Sequence, residues 1–343
     1  MKHPWVWVIW LAAVLVMLSI TRNPLYLLII LFCVLWVGFA LQRGGAEITR
    51  PFSLWKFAAW IILLATSFNA LTSHYGETIV FTIPGRLPLI SGNVTVEAMV
   101  YGATSGLILT GMLASFTVLN LALPVRDLIS LIPRAFFPVA VVTSIAVTYL
   151  PTTLRQFQLI REAQAIRGHQ MRSLRDWLPL LMPLLVGGLE HAMQLAEAMT
   201  ARGFASSRAT TGRRSIYPRL CMLLGVLLLA AGWLTQLSGA AVGGWMMIAT
   251  AAILILGGLW YLGSQSQRST YRRPAWNWKD GLTLIVAVGV SAIYLLPIPG
   301  LNRASLYYEP YPQLTFPPFS PLLGMAMLGL LIPGIFVIKR NPV

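Results

Sequence analysis

The chain has 343 residues, of which 57 % are hydrophobic and only 10 % are charged, and its formal net charge is +15. Soluble domains usually have about 45–50 % apolar and about 25 % charged residues, so this composition excludes an ordinary soluble domain. The basic residues lie between apolar runs, with no basic recognition helix or aromatic RNA-binding motif beside them, so we do not expect nucleic-acid binding. The two cysteines, Cys33 and Cys221, both lie inside apolar runs and indicate neither a disulfide framework nor a cysteine-based metal site.

Apolar runs along the chain are long enough to cross a bilayer of about 30 Å as helices, which requires roughly 17–25 residues. We find eight such runs, at 5–20, 25–41, 57–73, 98–123, 219–237, 243–262, 281–297 and 322–338. The first run follows Lys2 and His3 as in a signal peptide, but no Ala-x-Ala cleavage site comes after it, so we expect it to be retained. The sequence therefore predicts an all-α fold, a polytopic helical membrane protein with about eight transmembrane helices.

The distribution of Lys and Arg between the runs predicts the topology, because cytoplasmic loops concentrate basic residues. Basic side chains place the connections 42–56 and 263–280 in the cytoplasm, together with the C-terminal Lys339 and Arg340. The connections predicted to be external are 74–97, 238–242 and 298–320. Both termini are therefore expected in the cytoplasm of a multi-pass protein of the cell membrane.

The longest basic region, 151–218, is expected in the cytoplasm as well. Since four spans already end inside just before residue 124, the apolar stretch 133–150 is not expected to cross. Three prolines are expected to break it into a short helix at the membrane face or inside the protein: Pro133, Pro138 and Pro151. The predicted domains are a first transmembrane set at 1–123, a bundle of cytoplasmic helices at 124–217, and C-terminal transmembrane helices at 218–343.

The sequence lacks the usual signs of catalysis and of ion coupling. No span has an ionisable residue in its middle, which argues against an ion-coupled carrier. There is no phosphate-binding loop, no His-Glu-x-x-His and no Gly-x-Ser-x-Gly. Glu190 and His191 are weak candidates for an acid–base pair, because adjacent helical positions point apart. We therefore expect no catalytic residues, no metal site and no cofactor.

Two Arg-Gly pairs in the predicted cytoplasmic bundle have two interpretations. They occur in "EAQAIRGHQ", as Arg167-Gly168, and in "AEAMTARGF", as Arg202-Gly203. Gly is favoured just past a helix C-terminus and Arg in the last turn complements the helix dipole, so each pair fits a simple helix cap. Both pairs also follow small residues, and arginines on rigid helix ends suit bidentate docking to carboxylates of another protein. The second interpretation is a surface that couples to a soluble subunit.

The segments "AQAIRG" and "AEAMTARGF" resemble the paired Ala-Arg-Gly signatures of the transmembrane (T) component of energy-coupling factor (ECF) transporters, the EcfT/CbiQ family. The resemblance extends over roughly residues 1–215 and includes "TRNPLYLLI" and "YLPTTLRQFQLIREAQAIRG". Ile166 stands where the family has Ala, whereas the second signature fits fully. Residues 216–343, with four further predicted spans, exceed the single closing span expected for the family and receive no role from the resemblance.

The resemblance implies a non-catalytic coupling subunit of an ABC-type importer for a vitamin or a transition-metal ion. Its coupling helices at 124–217 would connect two ABC-type ATPase subunits to a substrate-binding S component in the lipid bilayer. It implies an ATPase-docking site formed by six residues: Ala165, Arg167, Gly168, Ala201, Arg202 and Gly203. Two alternatives stay open, a stand-alone secondary transporter and another polytopic membrane protein, such as an enzyme that acts on lipid.

Overall fold

The computed structural model describes residues 3–43, 54–73, 75–83, 92–168, 174–204, 216–237, 241–265, 276–295, 303–311 and 313–338. Much of the predicted connections 42–56, 238–242 and 263–280 lies outside these residues, as do Lys2, Lys339 and Arg340. The α-helices of the described part are α1 (Pro4–Ile20), α2 (Pro24–Arg43), α3 (Leu54–Thr72), α4 (Val96–Ala122), α5 (Val125–Ile129), α6 (Phe137–Ile166), α7 (Leu178–Ala201), α8 (Ile216–Leu237), α9 (Ala241–Gln265), α10 (Trp278–Leu295), α11 (Pro321–Leu328) and α12 (Ile332–Ile338).

This architecture confirms the all-α, polytopic membrane fold, since each of the eight predicted runs coincides with helix. Among the described residues, seven helices are long and apolar enough to span a membrane, and three shorter apolar helices accompany them. Two of the seven are α6 and α7, which the sequence places in the cytoplasm. The last predicted run is divided, because a short 3-10 turn, Gly329–Leu331, separates α11 from α12.

The chain divides into two compact units, of which the first comprises residues 1–127 and 272–343. Within it, α4 packs on α1, α2 and α3, α10 packs on α1, and α11 and α12 pack on α2. Helices α1 and α2 are apolar on nearly all sides, as expected of helices enclosed by others. Their side chains Trp10, Met17 and Tyr26 are fully buried and form the centre of this unit.

A β-hairpin connects α3 to α4 in the segment that the sequence predicts to be an external connection. Strands β1 (Ile79–Ile83) and β2 (Gly92–Thr95) pair antiparallel. The side chain of Thr95 accepts the N–H of Ala98 at 3.4 Å and so caps the start of α4. The buried carboxylate of Glu97 accepts hydrogen bonds from the N–H and the hydroxyl of Thr78, at 3.1 and 2.6 Å. These bonds tie the hairpin to the first turn of α4.

The second unit, residues 128–271, contains α6 to α9 and corrects one sequence prediction. The expectation that prolines break the stretch 133–150 into a short helix is wrong, because α6 continues over 30 residues and contains Pro151. Pro138 lies in the first turn of α6, where a missing N–H costs nothing. Pro151 removes one backbone bond, but more than a dozen helical residues on each side keep the helix continuous.

Helices α6 and α7 pack against each other in antiparallel orientation. Three ring contacts show this, because residues early in α6 meet residues late in α7. The ring centroids are 6.3 Å apart for Phe137 and Phe204, 4.7 Å for Tyr149 and His191, and 6.2 Å for Phe157 and Trp177. In the same unit α8 and α9 form a closely packed pair, and α9 also contacts the turn Arg134–Phe136 before α6.

Candidate docking site

The two Arg-Gly pairs have nearly the same backbone geometry. Arg167 ends α6 with φ −78° and ψ 7°, and Arg202 ends α7 with φ −83° and ψ 5°. Gly168 and Gly203 follow in the left-handed region, with φ of +79° and +76°. The amide N–H of each glycine donates to the carbonyl three residues earlier, at 3.0 and 2.9 Å respectively. The expected helix caps are therefore present at both positions, and each cap holds its arginine at the very end of a helix.

The six predicted docking residues are all exposed. Ala165 and Ala201 leave little bulk beside the two arginines, whereas Ile166, which departs from the family signature, is 88 % exposed. Among the described residues, the guanidinium groups of Arg167 and Arg202 make no salt bridge. Both arginine side chains are exposed, and a guanidinium group offers five N–H donors.

The structure does not bring the two arginines together. Because α6 and α7 are antiparallel, Arg167 and Arg202 lie at opposite ends of the helix pair. At a rise of about 1.5 Å per residue, Arg167 lies about 27 Å along α6 from Tyr149, and Arg202 about 16 Å along α7 from His191. Since these two rings are in contact, the arginines point away from a common crossing point. The two arginines therefore occupy two separate helix ends and do not form one composite site.

Between the two ends, the helix pair exposes an extensive apolar surface. Only Ala140 of α6 and Leu180 of α7 are buried. The exposed large apolar side chains of this surface are Val139, Val142, Leu150, Leu154, Leu159, Leu178, Leu181, Met182, Leu185, Val186, Leu189 and Met193. Exposed apolar side chains in this number indicate a contact with another protein or with lipid.

A cleft of about 370 Å³ lies between the two helices and is lined by residues of both. At its side the rings of Tyr149 and His191 stack with an interplanar angle of 12°. The ring of His191 is therefore engaged across the helix pair, which does not support the acid–base pair with Glu190. Within the described part of the chain, no group of three or more His, Cys, Asp or Glu residues is placed to hold a metal ion. The sequence carried no signal for this cleft, because its two rings are far apart along the chain.

The fold and these helix ends define a polytopic helical membrane protein with two exposed, arginine-bearing helix ends on one helix pair. Residues 2–211 match the CbiQ family, described as cobalt transport protein, and the chain belongs to this family. The matched range contains all six predicted docking residues and ends before α8. The resemblance on the Ala-Arg-Gly segments is thus confirmed at the level of the family.

Curated relatives are energy-coupling factor transporter transmembrane proteins named EcfT. The protein of Bacillus selenitireducens is 28 % identical over 249 residues, which covers 63 % of this chain and 84 % of the relative. That of Heliobacterium modesticaldum is 30 % identical over 192 residues, covering 51 % and 71 %. That of Bacillus subtilis is 28 % identical over 189 residues, covering 50 % and 71 %. The chain is therefore a multi-pass membrane protein of a transporter family.

Proposed function

We propose that this chain is the transmembrane coupling subunit of an ECF-type ABC importer. It transmits ATP-driven motion from two ATPase subunits to a substrate-binding S component, for uptake of a vitamin or a transition-metal ion. The observation that carries this proposal is the pair of equivalent Arg-Gly caps at opposite ends of one helix pair. Hydrolysis of ATP and recognition of the substrate belong to the partner subunits, and this chain is non-catalytic.

Each cap serves as the docking point for one ATPase subunit. A guanidinium group pairs with a carboxylate through two parallel hydrogen bonds, which fixes direction as well as position. The preceding alanines, Ala165 and Ala201, allow the ATPase surface to approach the helix end closely. Two caps that point away from each other suit two separate ATPase subunits better than one.

The apolar surface between the caps serves as the contact for the S component. Side chains such as Leu154, Leu185 and Leu189 are exposed, and their burial against a membrane protein or lipid removes an apolar patch. When the ATPase dimer closes, the two docked ends move, and the angle at which α6 crosses α7 changes. The cleft beside Tyr149 and His191 then changes shape, so the motion reaches the surface on which the S component lies.

Charge reversal at the helix ends tests this proposal. We expect Arg167→Glu and Arg202→Glu each to weaken the association with the ATPases, because each removes charge-assisted hydrogen bonds that are worth about 1.5–3 kcal/mol, or roughly 10- to 150-fold in affinity. The double variant should lose the ATPases in a pull-down from membranes of the source organism. Arg161→Glu is the matched control, since Arg161 is exposed on α6 but lies more than a turn before its end.

All four variants should insert into the membrane in normal amounts, because the exchanged side chains are exposed. Full co-purification of the ATPases with the double variant would show that the caps are not docking points. Equal losses for Arg161→Glu and the end variants would show that only the general positive charge matters.

A further inference from the structure

The C-terminal part of the chain lies outside the range that matches the family, which ends at residue 211. Its helices from 276 onwards belong to the first unit and pack on the first two helices of the chain. Helix α10 packs along α1, and α11 and α12 pack along α2. We call these residues, 276–338, the C-terminal cover.

Directional hydrogen bonds fix the register of the cover on α1. The indole N–H of Trp10 donates to the carbonyl of Leu330 at 3.1 Å, and both residues are buried. The side-chain amide of Asn23, in the turn between α1 and α2, donates to two carbonyls of the cover. Buried polar groups in a membrane protein are costly to leave unpaired, so these bonds favour one arrangement over sliding alternatives.

The cover is bonded to α2 as well. The hydroxyl of Tyr26 accepts the N–H of Ser320 at 2.6 Å and lies 3.2 Å from the hydroxyl of Ser305. Within the cover, the hydroxyl of Tyr294 donates to the carbonyl of Leu323 at 2.9 Å, which joins α10 to α11. The three helices of the cover therefore act as one connected piece on the α1–α2 pair.

Close packing brings α12 onto the backbone of α2. A methyl group added at Gly334 would lie 3.3 Å from the Cα of Val37 and 3.4 Å from the ring of Trp36. Small residues that let two helix backbones approach are typical of helix–helix contacts in membranes. By contrast, a methyl group added at Gly289 of α10 would meet no atom within 4 Å.

With the cover in place, α1 and α2 expose only narrow lines of residues. On α1 these are Trp5, Ala12 and Ser19, seven residues apart. On α2 the exposed large side chains are Leu28, Phe32, Trp36 and Phe39, which follow one line along the helix. A line one residue wide along each helix suits contact with lipid chains. It leaves no broad face of α1 or α2 for a second membrane protein.

We propose that the C-terminal cover is a built-in partner of α1 and α2, which stays on them throughout the ATP cycle and closes this face to other membrane proteins. The statement about the ATP cycle rests on the proposed function, whereas the attachment of the cover does not. The partners of the complex then dock on other surfaces of the chain.

A disulfide lock tests the proposal in the full chain. The double variant Val37→Cys/Gly334→Cys, made in a background with Cys33→Ala and Cys221→Ser, places one thiol on each of two closely approaching backbones, since a Cβ at Gly334 would lie 3.3 Å from the Cα of Val37. A protease site inserted within residues 266–275 then reports the bond, because the two cleaved fragments stay together on a non-reducing gel. We expect most of the protein in native membranes to form the bond on mild oxidation.

The matched control is Leu64→Cys/Gly334→Cys, whose first thiol lies on the exposed surface of α3 and should stay unlinked. For the complex purified from the source organism, ATP hydrolysis and the set of accompanying membrane proteins should be the same in the oxidised and the reduced state. Failure of the Val37–Gly334 bond to form would overturn the proposal, and so would a severalfold loss of hydrolysis or loss of a membrane partner on oxidation.

A second pair of variants tests, without a disulfide, whether the cover is attached to α1 and α2. Gly334→Leu should lower the thermal unfolding temperature and speed proteolysis of the cover, whereas Gly289→Leu should change neither. Equal behaviour of the two variants would overturn the proposal. If no ATPase accompanies the chain, the proposed function fails, while the disulfide yield and this comparison still decide whether the cover is attached.

Discussion

The side chain of Asn23 offers a quantitative test of how the turn between α1 and α2 is held. Its Nδ2 donates to the carbonyls of Ser305 at 2.8 Å and Pro318 at 2.7 Å, and its Oδ1 accepts the N–H of Leu25 at 3.0 Å. Asn23 is fully buried. Asn23→Ala leaves the two carbonyls without this donor, and at about 1–3 kcal/mol for each unsatisfied buried group the free energy of unfolding should fall by roughly 2–6 kcal/mol.

Asn23→Asp sharpens this test, because it keeps the shape of the side chain but turns an acceptor oxygen towards the two carbonyls. We expect Asn23→Asp to be less stable than Asn23→Ala, which in turn is less stable than the wild type. The order is measured by thermal unfolding in lipid nanodiscs and by the rate of proteolysis between residues 303 and 320. Asn69→Asp is the control. Among the described residues, the side-chain amide of Asn69 donates to the carbonyl of Ala65 in its own helix alone, so its loss of stability should be small. An Asn23→Asp protein as stable as the wild type would refute the reasoning.

Two further predictions concern the helix pair of the second unit. Alanine at position 168 or 203 must adopt the left-handed backbone of the glycine it replaces, at a cost of about 1–2 kcal/mol, whereas asparagine tolerates this conformation better. We therefore expect the alanine variants, and not the asparagine variants, to fray the last helical turn and to bind the ATPases more weakly. Hydrogen exchange of the preceding amides and a pull-down of the ATPases measure this, and equal behaviour of alanine and asparagine would contradict it. Pro151→Ala restores a backbone N–H inside α6, so we expect it to raise the free energy of unfolding by up to about 3 kcal/mol. Thermal unfolding measures this change, and a variant with unchanged or lower stability would contradict the prediction.

The positions of the helices were largely predictable because long apolar runs leave few other structures in a membrane. The deviations arise where local rules compete with the surroundings. Pro151 predicted a break, but it removes only one backbone bond, and α6 continues for more than a dozen residues on each side of it. The hairpin Ile79–Thr95 was missed because its two short strands lie within a connection that shows no sustained alternation.

The two Arg-Gly helix ends were predictable from the sequence, but their arrangement was not. Glycine after a run of small helical residues correctly predicts the left-handed caps at Gly168 and Gly203. That the two arginines lie at opposite ends depends on the antiparallel pairing of α6 with α7. Contacts such as the one between Tyr149 and His191 set this pairing, and they join residues that no local pattern connects.

Burial differs between the two units in a way that bears on how the chain works with partners. In the first unit, α1 and α2 are apolar on nearly all sides and are enclosed by other helices of the same chain. In the second unit, α6 and α7 expose most of their apolar side chains and bury one residue each. An apolar surface that the chain does not cover must be covered by lipid or by another protein. The chain itself therefore covers α1 and α2, while the exposed apolar side chains of α6 and α7 are left to be covered by lipid or by another protein.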